Sequence, residues 1–169
     1  MYDNLPPTLQ SKGVMLDANL LIALLVGSFG EGEVERFKRT RQFTTRDVVE
    51  LAKVVERFGR TWTTPHVIAE VSNILDWLND DRRREAGRRL AAYIRNAKEV
   101  HLEGAEIVKT PVYFTLGITD AGLCLLARQN DCIVITADLP LYHCFKPACP
   151  DCEFQPYEKS MDMTVPPAR

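Results

Sequence analysis

Four acidic residues stand where an acid is not the default choice. Asp17 follows directly on the apolar run Val14–Leu16, and Asp138 comes at the end of the β-branched run Cys132–Thr136 and Ala137. Asp120 follows Thr119, a good helix N-cap, and Glu70 lies early in a stretch opened by Pro65. Carboxylates gathered from separate elements suit hard divalent cations, which prefer oxygen ligands. Without an ion, four carboxylates repel one another and some are driven to hold their protons. With one or two ions, such a cluster can activate water and hold a phosphodiester for in-line displacement. Each acid also has a plainer explanation. Asp17 could cap a following helix, Asp138 could form a turn, Asp120 could answer the helix dipole, and Glu70 could face solvent. Their joint occurrence at element boundaries is the informative feature.

The elements that must position them follow from periodicity. Val14–Leu16 is a short buried strand that turns at Asp17 into a helix over Ala18–Val26, ended by the cluster Gly27, Gly30 and Gly32. Asp47–Phe58 has its apolar residues at 3- and 4-residue intervals, and Gly59 follows. Trp62–Thr64 suits a strand. The helix opened by Pro65 carries Val67, Ile68, Val71, Ile74, Leu75 and Leu78 as one stripe, with Glu70, Asn73 and Trp77 off it. A basic amphipathic helix is expected over Asp81–Lys98, then one from Asp120 to about Gln129 capped by Thr119. Cys132–Thr136 is the clearest strand, and Phe154–Tyr157 an edge strand, since Pro156 has no place in a sheet centre. This alternation predicts a three-layer α/β/α domain with a mostly parallel sheet of four or five strands. Asp17 and Asp138 would then meet at its carboxyl edge. The whole chain, 1–169, reads as one domain with a core of about 13–158 and loose ends.

Four segments together resemble the PIN-domain nucleases, and within them the VapC-type toxins: VMLDANLLIALL, TTPHVIAEVSNIL, LGITDAGLCLLA and IVITADLPLY. They occur in order from Val14 to about Tyr157. By position, Asp17, Glu70, Asp120 and Asp138 match the four family acids, with Asn19 and Thr136 as supporting polar groups and Asn73 on the Glu70 face. The resemblance implies an endoribonuclease using Mg²⁺ or Mn²⁺ and leaving a 5′-phosphate and a 3′-hydroxyl. Asp17 and Asp138 would be direct ligands with Asp120 beside them, and Glu70 would bind metal or position water. It further implies a homodimer, inhibited by a small antitoxin protein. A catalytically silent RNA- or protein-binding module is the rival reading, as is a phosphatase or DNA nuclease with a similar acidic cluster. The basic segment around Gly27–Arg46 and the residues His143, Cys144, Cys149 and Cys152 fall outside the family pattern.

A formal net charge of −2 excludes a generally basic surface, so any nucleic acid must use a local patch. One candidate is the helix carrying Arg82, Arg83, Arg84, Arg88, Arg89 and Arg95, whose bland alternative is a solvated face paired with Asp80, Asp81 and Glu85. A second is the loop with Arg36, Lys38, Arg39, Arg41 and Arg46. Cys149-x-x-Cys152 raises zinc, but structural zinc wants two close ligand pairs, and unligated thiols are the preferred reading. Trp62 and Trp77 read as packing residues. No phosphate-binding P-loop, dinucleotide fingerprint, H-E-x-x-H or nucleophile elbow is present. The apolar stretch Val14–Phe29 is too short to span a bilayer and carries Asp17 and Asn19, and five unevenly spread cysteines suit a reducing compartment. A cytoplasmic protein without membrane contact is expected.

Overall fold

The computed structural model describes residues 11–129 and 132–142 and the backbone of 154–156. Strand β1 (Gly13–Leu16) and strand β4 (Cys132–Thr136) are buried along their whole lengths, as strands covered on both faces must be. They lie side by side in a five-stranded sheet of order β3-β2-β1-β4-β5 in which every pairing is parallel. Here β2 is Arg60–Thr63, β3 is Lys98–Glu99 and β5 is Phe154–Pro156. Proline sits on the edge strand, where a missing ladder donor is tolerated.

Strand order dictates the layers. The chain steps outward from β1 to β2 to β3, then returns across the sheet to β4. Right-handed crossovers, the rule for parallel strands, place the helices of the outward steps on one face and those of the return on the other. The result is a three-layer α/β/α domain. The outward helices are α1 (Ala18–Gly27), the single turn α2 (Glu33–Arg36), α3 (Thr45–Glu56), α4 (Pro65–Leu75) and α5 (Asp80–Asn96). Those of the return are the single turn α6 (Gly104–Ile107) and α7 (Tyr113–Gln129). Helix α1 packs on α3, α4 and α5, while α4 also touches α7. The direction of chain travel reverses between β1 and β4, and in open α/β sheets that crevice at the carboxyl ends is where ligands bind.

Local signals set most boundaries. Thr44 and Asp47 form a capping box on α3, so this helix starts two residues before the predicted Asp47. Thr64 caps α4, and Pro65 takes the first helical position. Asn79 caps α5 by accepting from the Arg82 N–H at 3.1 Å. Two expectations are corrected. Helix α5 ends at Asn96, and Lys98 and Glu99 form the short β3 against β2, too short and too polar to show a strand period. The break before Asp120 falls at Gly117 (φ 85°, ψ −177°), a conformation that only glycine adopts readily, so Thr119 lies inside the first turn and is not the cap. Gly13 has another role. A Cβ there would sit 1.9 Å from Nε1 of buried Trp62, so β1 and the indole can pack together only over glycine. No helix among the described residues is long and apolar enough to cross a membrane. The expected loose ends, His143, Cys144, Cys149 and Cys152 lie outside the described residues.

Candidate active site

Asp17 is the most constrained of the four acids. Only 2% of its surface is exposed. Its backbone N–H donates to the Ile135 carbonyl at 3.2 Å, tying the end of β1 to β4. Carboxylate Oδ1 accepts from the Leu20 N–H at 2.7 Å and so caps α1, and Oδ2 accepts from Thr136 Oγ1 at 2.5 Å and the Ala137 N–H at 3.3 Å. The capping role considered for Asp17 is therefore real, and it coexists with a second task. Burial pushes this carboxyl up to about 6, with the hydrogen bonds from Thr136, Leu20 and Ala137 opposing the rise and the Asp138 charge adding to it.

Thr136 relays this arrangement to Asp138. Its hydroxyl donates to Asp17 and accepts the Asp138 N–H at 2.9 Å. Asp138 in turn accepts the Leu141 N–H on Oδ1 at 3.0 Å, capping the helical turn of residues 139–142. Both strand-end aspartates thus spend one carboxylate oxygen on a helix cap, which fixes the carboxylate plane of each.

Asp120 is different. It is half-buried in the first turn after Gly117 and has no hydrogen-bond or ion-pair partner among the described residues. Its carboxyl is raised to about 7, first by burial and then by the charges of Asp17, Glu70 and Asp138. Those three acids come from the junction of β1 and α1, from α4 and from the loop after β4, so all four predicted acids lie within electrostatic range of one point. Glu70 sits three residues after buried Val67 and four before buried Ile74. It lies off the buried stripe, as spacing predicts, and is half-buried rather than fully turned to solvent. Asn73 is exposed one turn on.

This donor set suits a hard divalent cation: it is all oxygen, partly dehydrated and rich in negative charge. No three His, Cys, Asp or Glu side chains among the described residues are drawn together tightly enough to cage an ion by themselves. Mg²⁺ does not require that, since it commonly keeps several waters and uses one or two carboxylates.

Asp138 also borders a groove of about 580 Å³, which the other three acids do not line. Its walls are formed by Asn19, Lys38, Arg39, Arg41, Gln42, Trp77 and Asp138. The segment after Gly27, which the sequence left without an assignment, thus forms one wall of this groove. Thr40 and Phe43 explain how. Both are buried, the Thr40 hydroxyl donates to the Val34 carbonyl at 2.7 Å, and the intervening polar side chains are turned outward. Trp62 is buried as expected, but Trp77 is 67% exposed, which overturns its reading as a packing residue. A clue was available: Trp77 lies just past the end of α4 with Asn73, Asp76 and Asn79 around it in sequence.

The arginines of α5 are placed differently. Arg83 pairs with Asp80, Arg84 with Asp81, and Arg88 and Arg89 with Glu85. Arg82 bonds Glu33 at 2.8 Å, and both Arg82 and Arg89 lie over the Phe29 ring. Arg95 is exposed without such a partner among the described residues. None of these lines the groove, whereas Arg39 and Arg41 do. No protein-family model matches this chain, and no curated protein matches it either.

Proposed function

We propose that this protein is a divalent-metal-dependent endoribonuclease of the PIN-domain type, acting in the cytoplasm. The observation that carries the reading is Asp120: a half-buried carboxyl without a polar partner among the described residues, facing the charges of Asp17, Glu70 and Asp138. Burial and the three other acids raise this carboxyl, and no ion pair among the described residues relieves it, an arrangement typical of sites that need an ion to function.

Asp17, Asp138 and Asp120 would hold Mg²⁺ or Mn²⁺. The bound ion would lower the pKa of water and stabilise the charge that develops on the phosphate oxygens. Glu70, beside the buried stripe of α4, would orient the attacking water. Thr136 keeps Asp17 and Asp138 in fixed orientation, since its one hydroxyl bonds both residues. Asn19, half-buried in the groove that Asp138 also lines, would offer an amide to the substrate phosphate, and Asn73 lies one turn on along the Glu70 helix. Arg39 and Arg41 supply positive charge beside this centre. The four segments that resemble VapC-type toxins extend the proposal to a homodimeric toxin held in check by a small antitoxin.

The test is cleavage of a pool of structured RNAs with Mn²⁺ or Mg²⁺, using wild type, Asp17→Asn and an EDTA control. Cleavage by wild type alone is the expected result. Single-stranded DNA and a nucleotide monoester run in parallel, and preferential turnover of either replaces the ribonuclease with a DNA nuclease or a phosphatase. RNA binding that Asp17→Asn leaves intact, with no cleavage by wild type under any metal, identifies a silent binding module.

A further inference from the structure

The groove beside the acids joins three features that the four-carboxylate chemistry does not itself require. Trp77, one of two tryptophans in the chain, is 67% exposed and lines the groove, although indoles are among the side chains that gain most from burial. Lys38, Arg39 and Arg41 share that groove, and none has a carboxylate partner among the described residues, in contrast to the α5 arginines. The buried anchors Thr40 and Phe43 hold the segment that carries them, so these cations are displayed from a fixed frame. We propose that this groove is a single-strand subsite, in which one unpaired nucleotide base stacks on Trp77 while Lys38, Arg39 and Arg41 hold the adjoining phosphates and lead the strand to Asp138.

The physical case rests on shape as well as charge. An exposed indole face can stack only on a base that is free of its own neighbours, which selects a single-stranded loop or end over a continuous duplex. Unpaired guanidinium groups keep their full donor set for phosphate oxygens, which they bind in fork geometry. An acidic peptide would use the same cations but has no flat ring system to match Trp77. The choice of a nucleic acid rests on the proposed nuclease reading, so the test uses binding rather than turnover.

Tryptophan fluorescence is titrated with a mixed-sequence single-stranded RNA octamer, in EDTA and again with Mn²⁺ on Asp120→Asn. Trp62 is buried and supplies a steady background, so saturable quenching reports on Trp77. Trp77→Leu is expected to abolish the quenching and weaken binding about 5- to 100-fold, with Trp77→Phe recovering most of the affinity. Arg39→Ala with Arg41→Ala should reduce the slope of log affinity against log salt by about 1.4, as two lost single-strand phosphate contacts predict. Both side chains are exposed, and melting curves would check that the variants fold. Absence of quenching under both conditions overturns the inference, as does equal quenching by a blunt RNA duplex or by polyglutamate. The nuclease reading fails separately. Wild type that binds and quenches but never cleaves loses the nuclease and keeps the subsite, and cleavage unchanged in Trp77→Leu does the reverse.

Discussion

The hydroxyl of Thr136 donates to Oδ2 of Asp17 at 2.5 Å, joining residues 119 apart in the chain across the ends of two adjacent parallel strands. Thr136 Oγ1 in turn accepts the Asp138 N–H, so one side chain sets the orientation of both strand-end acids. Asp17 is almost wholly buried, and its charged form depends on this hydrogen bond together with the Leu20 and Ala137 N–H groups.

Thr136→Val keeps the volume and β-branching of threonine but removes the hydroxyl. Loss of a hydrogen bond to a buried charged group lowers stability by about 1–3 kcal/mol, which corresponds to a fall in Tm of roughly 3–10 °C. Divalent-ion affinity, read by calorimetric titration with Mn²⁺, should drop about 10- to 100-fold, as for other groups that orient metal ligands. Thr136→Ser should retain most of both. A variant that melts early but binds Mn²⁺ normally would limit Thr136 to packing.

The acids set a pH dependence of stability in the metal-free protein. Asp17 and Asp120 hold their protons to about 6 and about 7, against an ordinary value of 3.8. The folded state therefore binds more protons than the unfolded one across that interval, so stability falls as pH rises. The contribution is fully present below about pH 4 and is lost as pH passes through the folded-state values. In EDTA, Tm should fall steadily from pH 5 to pH 8, while Mn²⁺ should flatten the profile by stabilising the ionised forms. A flat profile in EDTA would mean that the carboxylates ionise together without penalty.

Asp120→Asn separates stability from activity. Neutralising a carboxyl that faces three others removes repulsion, so at pH 8 without metal the variant should melt at least as high as wild type. Its Tm should also lose much of the slope with pH. RNA cleavage, assayed by gel with Mn²⁺, should fall at least about 100-fold, the scale seen when a charge-stabilising group is removed. A variant that is less stable at pH 8 would show that Asp120 has a structural bond worth more than the repulsion it relieves.

Gly117 stands between the two helical parts of α7 at φ 85° and ψ −177°, where a side chain is strained even in open space. Gly117→Ala should lower stability by about 1–3 kcal/mol, the typical penalty for a residue forced into such a region. Asp120 lies three residues on, so the substitution should also weaken Mn²⁺ binding, although it touches no acid. Thermal melting combined with calorimetry measures both. Unchanged Mn²⁺ affinity would show that the turn holding Asp120 is set by packing against α4 and not by the break.

The two basic segments should differ in their effect on RNA. Arg84 and Arg88 make exposed pairs with Asp81 and Glu85, and such pairs contribute little to stability. Arg84→Ala with Arg88→Ala should leave Tm within about 2 °C of wild type and alter RNA affinity less than twofold, because a paired, remote cation releases few counterions. Filter binding of RNA would check this, and a large loss would move the strand path onto α5.

Much of this protein is already determined by local sequence. The buried runs at Val14–Leu16 and Cys132–Thr136, the proline and threonine that open α4, and the acids at element ends follow from short-range sterics, capping and the periodicity of burial, which act within a few residues. Parallel order and layer arrangement follow from the same alternation. Tertiary structure decided the rest. Only the β1–β4 pairing brings Thr136 to Asp17, and only the turn anchored by Thr40 and Phe43 carries Lys38, Arg39 and Arg41 to the groove that Asp138 borders. By sequence the arginine-rich helix is one of two basic candidates, but Arg83, Arg84, Arg88 and Arg89 find acids one turn away on the same helix. Trp77 could be core or surface by composition, and its exposure depends on where α4 stops and α5 departs. Local forces set which element each residue joins, whereas meetings between distant residues depend on crossovers and loop paths that only the assembled chain specifies.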